Sequence, residues 1–356
     1  MKDRSLFWPV VVCACLTVVS PVRGGAPSRP AAKADHPPRK VVVGTVIFRP
    51  YGKYPGLEER LKVLSGLIDT MAEEARRTYP GRGLDLAVLP ETCVTDNQGP
   101  ASQRAIALRG PVLETFGSLA RRHKTYLVVP LDLVEEGSSG PVYSNAAVLL
   151  DRQGAVAGIY RKAHPVALVG RDDLENGITP GSEFPVFDCD FGKLGIQICW
   201  DMTFDDGWQA LADKGAELVV WPSASPATAQ SAARAGRHRY FVVSSCWRNN
   251  ATIYEPTGLV AARVEAPSKP LVHQIDLSYA VLGWSAHLHD GKAFRDKYDD
   301  RAGYHYEPRE DLGMFWSNDP ATTVGEMVRA LGLEEIDVQI ARNRRLQDAA
   351  RGRSVP

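Results

Sequence analysis

Residues 194 to 206 read LGIQICWDMTFDD, an apolar run that stops at a cysteine and is followed by aromatic and acidic residues. A short apolar run of this kind fits a buried strand, and DDGWQALADKG at 205 to 215 has the pattern of a helix. A strand, a reactive side chain and a helix in that order predict one unit of an α/β fold. A cysteine in such a run is ordinarily a small core hydrophobe, and Val or Ile would fill the same space. Ionisable residues at the ends of other strands would change that reading, because they could make the thiol a nucleophile.

The same alternation extends outward from 41 to about 276. VVVGTVIF (41 to 48) reads as a buried strand, and residues 57 to 79 place apolar side chains at 57, 61, 64, 67, 68, 71 and 75, one face of a helix. LDLAVLPE (84 to 91) is a strand, 111 to 124 a helix and 125 to 134 a strand. Residues 144 to 162 read as two strands around the turn residues Arg152, Gln153 and Gly154. After the opening stretch come a strand at 217 to 223, a helix at 227 to 239, a strand at 240 to 247, and further strands in ATIYEPTGLVAARV and PLVHQID. The pattern predicts an α/β protein whose sheets are covered by helices on their outer faces.

The flanks differ in kind. MKDR, the apolar LFWPVVVCACLTVVSPV and the small residues of VRGGA form a secretory signal pattern, with cleavage expected after Gly24. VCAC is a poor lipobox, so Cys15 reads as part of the apolar run rather than as a lipidation site. The expectation is an exported protein, periplasmic or extracellular, with no membrane span once residues 1–24 are removed. Residues 25–40 are Pro/Ala-rich and read as a flexible leader. Residues 277–356 are charged and aromatic, return to helix after 323, and read as an extension that wraps the 41–276 domain or a partner subunit.

With 42 basic and 42 acidic residues the chain carries no electrostatic footprint for nucleic acid or an anionic membrane surface, which leaves a small molecule or a peptide as substrate. Removing the signal leaves Cys93, Cys189, Cys199 and Cys246, too few for a disulfide scaffold and without zinc-ligand spacing, although one bridge is possible. His287 and His289 have no third ligand at helical spacing and read as solvated.

Three strand ends carry reactive side chains: Glu91 closes LAVLPE, Lys162 closes GIYRK and Cys199 closes GIQIC. Each alone is unremarkable. Together they suit acyl transfer, because a thiol needs a base and a positive neighbour to present thiolate. Glu91 can take the thiol proton and return it to a leaving amine, while Lys162 stabilises first the thiolate and then the oxyanion. The backbone amide of Trp200 is placed for a second oxyanion donor.

LPET at 89 to 92, YRKAH at 160 to 164 and GIQICWD at 195 to 201 resemble, in order, the three signatures of the nitrilase (carbon-nitrogen hydrolase) superfamily, and WPSAS at 221 to 225 resembles the segment that follows them. The resemblance covers about 41 to 276. It implies a four-layer α-β-β-α sandwich, a Glu91–Lys162–Cys199 triad without metal or organic cofactor, and a homodimer or larger homo-oligomer. It also implies a second glutamate between lysine and cysteine, for which Glu175 is preferred over Glu183. Cys-Trp-Asp is more similar to the amidase and carbamoylase branches than to the true nitrilases. The expected substrate is therefore an amide or N-carbamoyl compound, with Asp201, Trp221 and Ser223 as pocket residues and Trp247 as a further aromatic near the site. The competing readings are nitrile hydrolysis by the same triad and a catalytically silent binding protein on the same scaffold.

Overall fold

The apolar runs form strands whose side chains are shared, by period-two alternation, between two cores. The computed structural model describes residues 33–352 except 51, 168, 265, 267 and 268. After a short 3-10 turn at Lys33–Asp35, the elements are β1 (Lys40–Val46), α1 (Leu57–Thr78), β2 (Leu86–Val88), α2 (Ala101–Arg104), α3 (Pro111–His123), β3 (Tyr126–Gly137), β4 (Gly140–Leu150) and β5 (Val156–Arg161). They continue as β6 (Val186–Cys189), β7 (Gly192–Ile196), a 3-10 turn at Cys199–Thr203, α4 (Asp206–Asp213), β8 (Leu218–Ser223), α5 (Thr228–His238), β9 (Phe241–Cys246), β10 (Ala251–Tyr254), β11 (Val260–Val264) and β12 (Pro270–Asp276). The last are β13 (Tyr279–Gly283), α6 (Lys292–Tyr298), β14 (Ala302–Glu307), β15 (Leu312–Ser317), α7 (Val324–Ala330) and α8 (Ile336–Ala350).

Two six-stranded sheets result, in the orders β12-β1-β2-β3-β4-β5 and β11-β10-β9-β8-β7-β6. In β1, Val42 turns outward to join Leu64, Ile68 and Met71 of α1 and Phe116 of α3. Its neighbours Val41 and Val43 turn inward to meet Ile196, Val220, Phe241 and Val243 of the other sheet. On the far side, Val219, Trp221 and Val242 pack against Trp208 and Leu211 of α4 and Ala235 of α5. The layers are thus helix, sheet, sheet, helix, the expected α-β-β-α sandwich. Each buried aliphatic side chain contributes about 1.5–3 kcal/mol relative to an exposed one, so the inter-sheet layer is a major source of stability.

The topology brings the site together. β1, β2 and β3 run parallel, as do β7, β8 and β9. Two antiparallel steps, β3 to β4 and β4 to β5, return β5 to the direction of β2. The ends of β2 and β5 therefore reach the same edge of the first sheet. Hydroxyls fasten the two sheets near that edge: Ser245 Oγ donates to Val46 O and Val88 O, each at 3.0 Å, and Thr45 Oγ1 donates to Ser244 O at 2.6 Å.

Several expectations change in detail. The strand expected at 84 to 91 shortens to Leu86–Val88, since Pro90 has no N–H to extend the ladder. The signal segment lies outside the described residues, as do residues 25–32 of the leader. Residues 33–40, expected to be flexible, are instead packed: Ala34 is buried, Lys33 Nζ donates to Arg239 O at 2.7 Å, and Arg39 forms an ion pair with Glu217. Lys40 already belongs to β1. The extension contains a sheet of its own, β13-β15-β14, built from a segment without clear periodicity. The helix expected after 323 is two helices, because Gly332 takes a left-handed φ of 66° between them. Thr323 caps the first in a reciprocal pair with Glu326.

Candidate active site

Glu91, one turn beyond β2, and Lys162, directly after β5, are both buried, and Lys162 Nζ donates to Glu91 Oε1 at 2.9 Å. The same ammonium donates to Glu175 Oε1 at 2.6 Å. Glu175 therefore lies in the cluster, whereas Glu183 lies beside Arg161 and Pro180 outside it. Asn145 on β4 ties the two carboxylates together, its Nδ2 donating to Glu91 Oε1 at 2.9 Å and to Glu175 Oε2 at 3.0 Å. Backbone amides complete the anchoring: Ala224 N donates to Glu91 Oε2 at 2.8 Å and Val166 N to Glu175 Oε1 at 2.9 Å. Trp247 Nε1 donates to Glu91 O at 2.7 Å and so fixes the backbone of that loop.

Cys199 opens the 3-10 turn after β7 with φ of 43°, a left-handed conformation that costs a residue with a side chain on the order of 1 kcal/mol or more. The turn's first internal hydrogen bond runs from Asp201 N to Ile198 O at 3.0 Å, so the Trp200 amide precedes it. Thr92 and Glu175 also take positive φ, 41° and 45°, and with Cys199 they line one cavity of about 350 Å³. Glu91, Lys162, Asn145, Arg104, Asp132 and Trp247 share its wall.

The charges are strongly coupled. Burial pushes the Cys199 thiol up to about 12, and the Glu91 charge adds to the effect, while Lys162, Ser223 and the Ala224 amide oppose it. Burial alone would lower the Lys162 ammonium, but the charges of Glu91, Cys199 and Glu175 hold it well above the usual lysine range. Glu175 is pulled up by burial and down by Lys162 and its hydrogen bonds, and the downward effects win. The site rests as a thiol beside a fixed ammonium that is shared by two carboxylates.

None of the three residues expected as pocket residues is among those that line the cavity. Asp201 is fully buried away from the cavity and accepts from Tyr160 Oη at 2.7 Å, Ile198 N at 2.8 Å, and His164 N and Nδ1 at 2.9 Å. It braces the cysteine turn, because an acid three residues after Ile198 can cap that residue's amide. Trp221 is buried against α4 and α5 and donates to Cys199 O at 3.1 Å. Ser223 is buried and hydrogen-bonded with the Cys199 thiol, and its Oγ accepts from Ser225 N at 2.9 Å. Trp247 does line the cavity. Arg234 binds Asp205 and the carbonyls of Met202 and Phe204. Cys93, Cys189 and Cys246 are free thiols, as is Cys199.

The sequence reading missed Asn145, Asp132 and Arg104. Asp132 had a weak signal, a charged residue between apolar neighbours in β3, and Asn145, beside Ser144 in β4, had none. Arg104, which donates to Asp132 Oδ2 at 2.6 Å, had none.

Fold and cluster together define a class: an α-β-β-α sandwich with a thiol, a lysine and a carboxylate just past strand ends of its sheets and a second carboxylate on the loop between β5 and β6. The chain belongs to the carbon-nitrogen hydrolase family, whose profile matches residues 57–282. It is 31% identical over 226 residues to the deaminated glutathione amidase of Homo sapiens, covering 55% of this chain and 68% of that protein. It is 34% identical over 115 residues to a citrullinase of Francisella tularensis, covering 32% of this chain and 38% of the citrullinase, so it spans about two-fifths of that relative. The fold is shared with Saccharomyces cerevisiae Nit3, a member of branch 10 of the nitrilase superfamily, with a TM-score of 0.55 at 20% identity over 67% of this chain and 90% of that one.

Proposed function

We propose that the protein hydrolyses a non-peptide carbon-nitrogen bond, in an amide or an N-carbamoyl compound, through a thioester on Cys199. The observation that carries this reading is the Lys162 ammonium held between Glu91 and Glu175 on the cavity wall that Cys199 completes. Glu91 takes the thiol proton as the sulfur attacks the substrate carbonyl carbon. Lys162 and the Trp200 amide stabilise the resulting oxyanion. The carbon-nitrogen bond then breaks, and Glu91 returns its proton to the departing nitrogen, releasing ammonia or an amine. Water, deprotonated by Glu91, attacks the thioester to give the acid and the free thiol. Glu175 positions Lys162, sharing its charge with Glu91.

The thiol's high resting pKa fits a base that acts only as the carbonyl arrives, not a standing thiolate. The preference for amides over nitriles rests on relatives such as the deaminated glutathione amidase. It does not rest on Asp201, which faces away from the cavity. Ammonia release from a matched amide, N-carbamoyl compound and nitrile tests the reading. Turnover of the amide or carbamoyl compound is expected, and turnover of the nitrile alone would contradict it.

A further inference from the structure

A second cavity, of about 530 Å³, lies between the sandwich and the extension and is larger than the one Cys199 lines. One wall is the open edge of the sandwich, where β12 ends the first sheet and β11 ends the second. The other wall is β14 and β15, with Tyr304, His305, Met314 and Trp316. Those four residues lie beyond 57–282, so the shared hydrolase domain supplies only part of this cavity.

Packing alone does not account for its lining. Leu271, His273 and Ile275 of β12 stand opposite Thr45, Val43 and Val41 of β1 and share their inward face. Leu271 and Ile275 join the inter-sheet core, so His273 takes a place that the alternation reserves for an aliphatic side chain. Neither of its ring nitrogens has a hydrogen-bond partner among the described residues, and neither is sealed from the cavity. Burial holds its imidazole below the ordinary histidine pKa, so near neutral pH the ring is uncharged, with one nitrogen to donate and one to accept. On the other edge, Ala261 is the extra residue of a bulge in β11, where Ile253 pairs with Ala262 and Tyr254 with Val260. A small side chain on a bulged strand keeps the space open.

The charges of the wall are spent on one another: Lys40 pairs with Asp276, and His305 with Glu255, each at 3.0 Å. A charged ligand would have to break these pairs. Trp316, Tyr304, Phe241 and Met314 offer apolar surface instead. An aromatic lining with a few placed polar groups, at this volume, is the usual make-up of a small-molecule pocket.

We propose that this cavity is a second ligand site, for an uncharged small molecule with a flat aromatic body against Trp316 and Tyr304 and one hydroxyl or amide group hydrogen-bonded to His273. It is independent of the hydrolase reading, since no residue lines both cavities.

The probes are 2-naphthol, 2-naphthoate and 2-naphthylmethylamine, which share one aromatic body, differ in charge and have no amide to hydrolyse. Calorimetric titration of the full-chain protein near neutral pH should give a Kd for 2-naphthol of about 100 µM or tighter, with both charged compounds at least about tenfold weaker. His273→Leu restores the aliphatic stripe and should weaken 2-naphthol by about tenfold, the loss of one hydrogen bond. Ala261→Leu fills the space from the other edge and should abolish the binding, with thermal midpoints of both variants checked against wild type. Binding of 2-naphthol that neither substitution weakens would place it elsewhere and overturn the inference. Equal or tighter binding of either charged compound would overturn it too, as would no binding of any of the three at about 1 mM.

Discussion

At the scale of single residues, the account depends on Glu91 and Lys162 acting as one unit with Cys199. In the proposed mechanism Glu91→Gln removes the proton acceptor, and Lys162→Ala removes the charge that stabilises thiolate and oxyanion. Each should lower the rate of ammonia release by about 10²-fold or more. The double variant should be little worse than either single, because groups that act as a unit do not add. His164, two residues beyond the lysine, is the alternative base of a Cys-His enzyme, yet its imidazole is taken up by Asp201, so His164→Ala should stay active in the same assay. The three residues proposed to carry the chemistry were picked out because each ends an apolar run, where an ionisable side chain has no packing reason to be, and the structure brings Glu91, Lys162 and Cys199 to one cavity. The residues that hold them were not, since Asn145 and Asp132 look like ordinary strand polar groups until β4 is paired with β3. Asp201 misled for a related reason: its place next to the motif is real, but its carboxylate turns inward.

At the scale of elements, the tight turn between β7 and α4 decides whether the thiol is presented at all. Asp201 holds that turn to β5 and to the segment after it through four donors, and Asp201→Ala would leave those donors unpaired in the interior. Denaturant unfolding should show a loss of about 2–4 kcal/mol, with activity falling as the Cys199 backbone relaxes. His164 stacks on Phe204 with ring centroids 4.0 Å apart, and the hydrogen bond to Asp201 raises its pKa above the ordinary histidine value. A raised folded pKa contributes stability that is fully present below the unfolded value near 6.5 and is lost as pH rises through the folded one. The stability difference between wild type and His164→Ala should therefore be largest under mildly acidic conditions and shrink toward alkaline pH, measured as a series of thermal midpoints. The long elements of the sandwich could be read from periodicity. The Cys199–Thr203 turn, strand β6 and helix α2 could not, because they are set by tertiary contacts and are too short to show a period.

At the scale of the whole molecule, the extension after β12 was the least legible part. Its strands β14 (AGYHYE) and β15 (LGMFWS) are rich in aromatics rather than alternating, and they become strands because β15 pairs with both β14 and β13. Their burial comes from a separate core that joins Phe294, Phe315, Val324 and Met327 to Ala34 before β1. A sequence window cannot see a partner more than 200 residues away. The N-terminal composition keeps export as a proposal at this scale: mass spectrometry of the protein from its native host should show a chain beginning near Gly25, and an intact Met1 would contradict it. The central claim, that the sandwich exists to present one nucleophilic sulfur, is tested most directly by steady-state ammonia release from Cys199→Ala, with its thermal midpoint checked against wild type. The account predicts a folded protein with no turnover above background, and turnover within tenfold of wild type would contradict it.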